Sequence, residues 1–266
     1  MIVTLIAHIS DLHFGASNTN REERLLEQLN VHLPDLAVIT GDITQRATRR
    51  QYAAAHRFLR RLPCPCMTIP GNHDLTLYNM VERFHHPWRK WHRYISTDVE
   101  PETAAPHLSI MGINTAAPWG YRMDWSRGRI LRHQIERIEN RFRQVSENHL
   151  RVIAAHHPLW LPRSERHRRL AGGTARVFPS LKSSGVDLVL GGHTHSAYVH
   201  IENGMIICHA GSAFSNRLSS GQENSYTLIS GNHKGLNIKI IQWQTNDFKV
   251  MESYHFARQS NGWQIQ

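Results

Sequence analysis

The sequence predicts an α/β fold that opens with a parallel β-sheet. Short apolar runs at 2–9, 36–40 and 66–70 have the length of buried strands. Between them, the stretches 21–33 and 49–62 carry apolar residues at helical spacing. Because strands that alternate with helices form parallel sheets with right-handed crossovers, these two observations together predict a βαβαβ unit.

The rest of the chain continues the alternation and then changes character. Four further strands and one helix are predicted: strands at 107–115, 151–156, 186–191 and 205–209, and a helix at 131–145. The tail at 225–256 has short alternating segments around 231–235, which predict hairpins and a mixed or antiparallel second sheet. No repeat or low-complexity linker interrupts the chain, so we expect one domain over 1–266.

The composition is that of a globular protein. The 266 residues are 40% hydrophobic, which is enough for a sizeable core, and no stretch approaches the roughly 18–20 apolar residues of a membrane span. The apolar N-terminus lacks a basic leader and a cleavage site, so we expect no removable signal. Three cysteines, Cys64, Cys66 and Cys208, form no even framework for disulfides, and we expect a cytoplasmic protein.

The charge indicates the kind of partner. The formal net charge is +10 with neutral histidines, and there are 20 histidines. Such a charge favours an anionic partner: a phosphate ester, nucleic acid or acidic lipid headgroups. Charge alone does not choose among these, and a basic surface without a specific role is the alternative.

Five short motifs each follow a strand or a short apolar run. They are Asp11-Leu12-His13, Gly41-Asp42, Gly71-Asn72-His73-Asp74, His156-His157-Pro158 and Gly192-His193-Thr194-His195. The carboxyl ends of strands in an open α/β sheet converge on one edge, so we expect these side chains to meet there. The glycines that precede the polar residues allow sharp turns at the strand ends.

The residue types in these motifs suit divalent first-row metals. Carboxylate, imidazole and amide donors without thiolate indicate Mn, Fe, Zn or Co rather than a closed structural zinc site. Alternate residues of an extended segment point the same way, so Asp-x-His and His-x-His each present two ligands on one face. Seven candidate ligands are too many for one ion, and they predict two ions bridged by a carboxylate, for which Asp42 is the natural candidate.

Each motif alone is weak, but all five in this order resemble the calcineurin-like metallophosphoesterase superfamily. The closer resemblance is to bacterial class III cyclic-nucleotide-phosphodiesterase-type proteins. The motifs run from residue 11 to 195, about 70% of the chain. The resemblance implies a four-layer α/β/β/α sandwich of two mixed β-sheets, with a dinuclear metal site at the carboxyl ends of the strands.

The resemblance also implies a role for each motif residue. The two ligand sets would be Asp11, His13, Asp42 and His195 for one ion, and Asp42, Asn72, His156 and His193 for the other. His73 would be the catalytic histidine, and it would contact the substrate together with Asn72. The family places its ligand two residues before a proline, which selects His156; the alternative makes His157 the ligand.

One position departs from the phosphoprotein phosphatases of the superfamily. In those enzymes an acidic residue three positions after the bridging aspartate orients the catalytic histidine, and here that position is Gln45. A glutamine cannot stabilise an imidazolium by charge, which mildly favours diesters. The next residue, Arg46, matches a phosphate-contacting arginine, so it is a candidate substrate-binding residue or else a surface arginine. Asp74 either helps to place His73 or caps the turn.

Three further features have open interpretations. The segment 162–169 is rich in arginine and forms either a basic rim that recruits anionic substrate or a solvated loop. His209 either supports the metal ligands or packs without a role at the site. Asn114, Trp119 and Tyr121 either line a substrate pocket or pack in the core.

The first functional hypothesis is a phosphodiesterase that acts on cyclic nucleotides or related small diesters, with Mn or Fe as the favoured metals. A phosphomonoesterase or phosphoprotein phosphatase comes second, and a nuclease or phospholipid hydrolase third. A non-catalytic scaffold predicts loss of ligands or of the catalytic histidine, and here all of them are present.

Overall fold

The chain opens with the predicted βαβαβ unit. In the computed structural model, which describes residues 4–76, 79–118, 126–218 and 221–266, three parallel strands alternate with two helices. The elements are β1 (Thr4–Ile9), α1 (Thr19–His32), β2 (Leu36–Thr40), α2 (Arg49–Leu59) and β3 (Cys66–Ile69).

Both helices begin where the sequence offers a capping side chain. Asn18 Oδ1 accepts a hydrogen bond from Arg21 N–H, and Thr48 Oγ1 accepts one from Gln51 N–H. The helix α2 ends before the predicted residue 62, because a proline at 63 disfavours helical backbone in the residue before it.

The middle of the chain forms a second sheet. The helices and strands of this part of the chain are α3 (Met80–His85), α4 (Arg89–Tyr94), β4 (Glu102–Ala105), β5 (Leu108–Ile113), α5 (Arg132–Arg143), β6 (Leu150–Ala155), α6 (Thr174–Ser183), β7 (Leu188–Gly191), β8 (Tyr198–Glu202) and β9 (Met205–His209). The strand order is β4-β5-β6-β7-β9-β8, in which the four central strands are parallel and the two edge strands antiparallel.

The tail extends the first sheet, so the prediction that it forms a second sheet was wrong. The tail strands are β10 (Ser225–Gly231), β11 (Gly235–Gln244), β12 (Asp247–Gln259) and β13 (Gly262–Ile265). The strand β10 pairs antiparallel with β1, which gives the order β13-β12-β11-β10-β1-β2-β3. The parallel β1-β2-β3 unit leaves the other edge of β1 without backbone partners, and β10 satisfies those groups.

Three clusters of buried side chains separate four layers. Val38 of β2 packs with β6 residues between the two sheets, whereas its neighbour Ile39 faces α1 and α2. A third cluster lies between the second sheet and α5 and α6, and it includes Ile153, Ile138 and Val177. Strands that are buried on both faces need a continuous apolar run, as β2 has. The predicted α/β/β/α arrangement of two mixed sheets is therefore confirmed.

The helices are short. In the described part of the chain, none has the length and apolar character that crossing a membrane requires.

Candidate metal centre and active site

The five motifs come together where strands of both sheets end. Asp11 and His13 follow β1, Asp42 follows β2, and Asn72 starts a 3-10 turn after β3. From the second sheet, one histidine pair follows β6 and another follows β7; these are His156, His157, His193 and His195. The candidate site therefore takes its side chains from two sheets that face each other.

The backbone is in the left-handed region at most of these positions. The φ angle is positive at Asp11 (54°), His13 (46°), Asp42 (49°), His193 (73°) and His195 (60°). Non-glycine residues adopt this region uncommonly, at a cost of about 1–2 kcal/mol each, and such residues cluster at functional sites. The chain turns sharply at the ligand positions themselves, where the sequence predicted turns only at the preceding glycines.

Gly41 and Gly71 are required for different reasons. Gly41 has a φ of 85° and makes a turn that a larger residue would strain. Gly71 has ordinary extended backbone, but a Cβ atom there would overlap the Asp42 carboxylate. Gly71 is therefore required by close approach of the chain to Asp42 rather than by a turn.

One group of nitrogen and oxygen donors surrounds Asp11. The Asp11 Oδ1 atom lies 3.2 Å from His195 Nε2 and 3.6 Å from His13 Nε2. The two Nε2 atoms lie 3.0 Å from each other. Three ligand atoms this close, with Asp11 and His13 fully buried, form a group that could hold one metal ion.

A second group lies on the other side of Asp42. The Asp42 Oδ2 atom is 3.4 Å from His156 Nε2 and 3.8 Å from His13 Nε2. Asp42 thus faces both groups, as a bridging carboxylate would. His156, His157 and His193 also form a group of possible ligands, so the geometry keeps both His156 and His157 near this position.

Three candidate ligand atoms stand out by their lack of a hydrogen-bond partner. Among the described residues, Asp11 Oδ1, Asn72 Oδ1 and His156 Nε2 are buried without a hydrogen bond. Burial of such atoms is unfavourable unless something satisfies them. Oxygen and imidazole nitrogen donors without thiolate suit divalent first-row metals, so these residues fit bound metal ions.

The hydrogen bond behind His156 orients its ring. His156 Nδ1–H donates to Thr40 O at 2.7 Å, which directs Nε2 toward Asp42. Metal-ligating histidines commonly have such a bond from the other ring nitrogen. His157 Nδ1 lies 2.7 Å from Thr115 Oγ1, and its buried Nε2 has no partner among the described residues.

The electrostatic environment keeps the carboxylates ionised. Burial raises the pKa of Asp42, but His156 and His13 outweigh it and hold that pKa well below its usual range. The pKa of Asp11 is likewise well below its usual value, because His195 and His13 outweigh burial. Burial and His156 lower the pKa of His193 to about 3. Ionised carboxylates and a neutral imidazole are the forms that bind metals.

His156 differs from these neighbours. Burial opposes its charged form, but the Asp42 carboxylate outweighs burial and raises the pKa of His156 to about 9. A proton on His156 therefore compensates part of the charge of Asp42, and a cation would take the place of that proton.

His73 faces the cleft without joining either group of possible ligands. Its Nδ1–H donates to Gln45 O at 2.9 Å, and its backbone N–H donates to Asp42 Oδ1 at 2.8 Å. A backbone carbonyl, rather than the Gln45 side chain, therefore orients the ring. The Nε2 atom accepts a hydrogen bond from Arg217 Nη1 at 3.0 Å. Arg217 Nη1 also lies 3.4 Å from the side-chain amide oxygen of Gln45.

Asp74 caps the turn. Its buried carboxylate accepts hydrogen bonds from the backbone N–H groups of Gly71 (2.9 Å), Ile43 (3.2 Å) and Thr44 (2.8 Å). These bonds hold the segment that carries His73 against the segment after Asp42.

His209 supports the loop that carries His193. Its Nδ1–H donates to Gly192 O at 3.1 Å, and its ring stacks on Tyr198 with centroids 4.5 Å apart. Asn114 caps a turn, since its Oδ1 accepts from Ala116 N–H at 3.0 Å. The predicted pocket residues Trp119 and Tyr121 lie outside the described residues.

The arginine nearest to His73 is one that the sequence did not indicate. Arg46 is exposed and does not line the cleft above the centre, whereas Arg217 does. The segment 210–217 runs beside the loop after β1. Isolated β-bridges pair Ser10 with Ser212 and Ser17 with Ser215. Only this long-range pairing brings Arg217 to the site, and no local motif signals it.

Comparisons with known proteins agree with this geometry. The sequence profile of the family described as calcineurin-like phosphoesterase matches residues 4–197. A probable cyclic nucleotide phosphodiesterase from Synechococcus sp. is 26% identical over 208 residues, which are 73% of this chain and 74% of that protein. A glycerophosphodiester phosphodiesterase from Enterobacter lignolyticus is 36% identical over 81 residues, which are 26% of this chain and 29% of that protein.

A solved structure has the same fold. A dimetal phosphatase from Danio rerio matches with a TM-score of 0.66 and 11% identity, over 95% of this chain and 98% of that one. At this identity the match concerns the fold alone.

Proposed function

The chain belongs to the calcineurin-like phosphoesterase family, and from this premise we propose that it is a dinuclear metal-dependent phosphodiesterase for cyclic nucleotides or other small diesters. The observation that carries the proposal is the pair of donor groups that share Asp42, with His73 beside them in an open cleft. The names of the two bacterial relatives, both phosphodiesterases, favour diesters over monoesters.

The proposed ligand sets follow the two groups. They are Asp11, His13, Asp42 and His195 for one ion, and Asp42, Asn72, His156 and His193 for the other. His156 is preferred over His157 because its Nε2 faces the Asp42 carboxylate. Mn or Fe is favoured over Zn, because oxygen donors from Asp11, Asp42 and Asn72 accompany the imidazoles.

Two bound cations would supply positive charge for the phosphoryl oxygens. They would also lower the pKa of a bound water, so that it could lose a proton and attack phosphorus. His73 is placed to protonate the leaving oxygen, because the bond from Nδ1–H to Gln45 O turns Nε2 toward the cleft. A phosphate in the cleft would compete with His73 for the Arg217 guanidinium, and this exchange would release the Nε2 lone pair. The freed Nε2 would take up a proton from water and pass it to the leaving oxygen.

The cysteines support a reducing compartment, and we propose the cytoplasm. Cys64, Cys66 and Cys208 are all free thiols.

A substrate panel tests the proposed function. Mn-loaded protein is assayed with bis(p-nitrophenyl) phosphate, p-nitrophenyl phosphate, a cyclic nucleotide and single-stranded DNA, and Asp42→Ala is the inactive control. We expect the diesters to be hydrolysed faster than the monoester. A strong preference for the monoester would contradict the diesterase assignment, and inactivity with two metals bound would indicate a scaffold.

A further inference from the structure

The cleft above the metal centre has a cationic rim. The cleft has a volume of about 840 Å³, and its lining includes Arg127, Arg168, Arg169 and Arg217. Among the described lining residues the sole carboxylate is Asp42, which belongs to the metal centre. The described lining therefore places four guanidinium groups beside the metal centre, of which Arg168 pairs with Glu165.

Hydrogen bonds join two segments of the rim. Gly172 N–H donates to Gly128 O at 2.7 Å, and Arg127 Nε–H donates to Leu170 O at 3.1 Å. Arg169 directly precedes Leu170, so both arginines stand on one wall of the cleft.

The same wall is fixed to the metal centre. A Cβ atom at Gly128 would overlap the His157 ring, so the chain there packs directly on a side chain of the centre. Ser196 Oγ–H, next to His195, donates to Glu165 Oε1 at 2.8 Å, and Glu165 pairs with Arg168 at 2.7 Å. The rim thus has a defined position relative to the candidate ligands.

We propose, on the basis of the proposed phosphodiesterase function, that Arg127 and Arg169 form a second phosphate subsite and that the substrate is a small diester with a further phosphate group. A simple diester has one negative charge, and two cations with Arg217 already suffice to neutralise it. Guanidinium groups fit phosphate oxygens through two parallel hydrogen bonds, so Arg127 and Arg169 suit a second phosphate. A phosphorylated nucleotide chain and a phosphorylated polyol share this chemistry.

Two pairs of substrates test the subsite and separate these sources. The dinucleotide TpT is compared with its 5′-phosphorylated form pTpT, and glycerophosphoinositol with its ring-phosphorylated form. In at least one pair we expect kcat/KM to be at least about tenfold higher for the phosphorylated member, mainly through KM. The pair that shows the preference identifies the source of the substrate.

The Arg127→Ala/Arg169→Ala double variant should lose this preference. The matched control is Arg143→Ala, because Arg143 is exposed at the end of α5, where the chain returns to the start of β6 at the opposite sheet edge. This control should keep the full preference. Equal kcat/KM within both pairs for the unmodified protein would overturn the subsite and leave the proposed function intact.

A binding experiment decides the inference independently of turnover. By calorimetry, thymidine 3′,5′-bisphosphate should bind the protein at least about tenfold more tightly than thymidine 5′-monophosphate, and the double variant should bind both equally. If no diester were hydrolysed, the proposed function would fail, and this comparison would still test the subsite. Equal affinities in the unmodified protein would overturn it.

Discussion

His73 is held at the cleft by two bonds besides the one that its Nε2 atom accepts from Arg217. Its ring is fixed through Nδ1–H to Gln45 O, and its backbone N–H bonds to Asp42 Oδ1. Removal of the side chain leaves the backbone bond intact. The proposed catalytic role of His73 and the proposed metal binding can therefore be tested separately by mutation at this residue.

In a His73→Ala variant we expect both metals to stay bound while kcat falls by about 10²–10⁴-fold, because a positioned proton donor is lost. Metal content by mass spectrometry and kcat with a chromogenic diester measure the two effects. The comparison variant Asp42→Ala should lose metal and activity together. Unchanged turnover in His73→Ala would refute its catalytic role.

Arg217 and Arg46 are alternative phosphate contacts, one from the geometry and one from the family resemblance. Because Arg217 lines the cleft, Arg217→Ala should lower kcat/KM by about 10–100-fold, the effect of one or two charge-assisted hydrogen bonds. Arg46→Ala should change it little, since Arg46 is exposed outside the cleft lining. The opposite ranking, measured with a chromogenic diester, would favour the assignment by resemblance.

The candidate ligands could be predicted from sequence because metal chemistry restricts residue types at strand ends. Asp42 and His156 stand directly after strands, where a local pattern is visible. Arg217 could not be predicted, because its place depends on pairing between segments about 200 residues apart. The roles of the ligands stay predictions until metal binding is measured.

At the scale of secondary structure, buried strands were easier to predict from the sequence than exposed ones. Strands with both faces buried, such as β2 and β5, are mostly apolar and were predicted nearly to their ends. The edge strands β4 and β8 are half-exposed and have no such run. The helix α6 contains Pro179, which obscures its pattern, and α3 and α4 are too short for a clear period. The extent of the domain, 1–266, stays a prediction.

The helices α3 and α4 are joined by an ion-pair network on Glu82. Its carboxylate, which is 8% exposed, lies 2.9 Å from Lys90 Nζ and 2.8 Å from an Arg89 guanidinium nitrogen. Burial raises the pKa of Glu82, but these two cations outweigh it and bring the net pKa below the usual value of 4.5. A lowered pKa in the folded state means that the ionised form stabilises the fold.

Glu82→Gln should therefore reduce the free energy of unfolding at pH 7 by about 1–2 kcal/mol. The loss should be full above the usual pKa of 4.5 and should vanish as the pH falls through the lowered pKa, where Glu82 is protonated in both states. Urea unfolding of both proteins from pH 7 to pH 3 measures the difference. A difference independent of pH would mean that the ion pairs contribute nothing.

At the scale of the whole molecule, the candidate metal centre lies between the two sheets. Asp11 and Asp42 follow strands of the first sheet, whereas His156 and His193 follow strands of the second. Most of the remaining contact between the sheets is an apolar core. Asp187, which precedes β7 of the second sheet, also accepts hydrogen bonds from Arg258 and Trp263 of the first sheet. Bound ions would thus add links between two layers that are held mainly by non-directional packing.

Removal of the metals should lower the thermal stability. Binding to the folded state alone contributes about 2.7 kcal/mol at a metal concentration a hundred times Kd, which for a chain of this size corresponds to a decrease in Tm of about 5–10 °C on chelation. Calorimetry with and without a chelator measures the shift. His73→Ala should show the same shift and Asp42→Ala a smaller one. A Tm that chelation leaves unchanged would contradict metal binding at the interface of the sheets.

The left-handed backbone at Asp11, Asp42 and His193 has a consequence for how this protein can change. At each of these positions glycine would relieve a backbone cost of about 1–2 kcal/mol, but it would also delete a candidate ligand and the stability that bound metal contributes. The gain and the loss have similar size and opposite sign. Laboratory evolution for heat resistance should therefore keep these residues when metal is supplied, and should replace them with glycine only when a chelator withholds it.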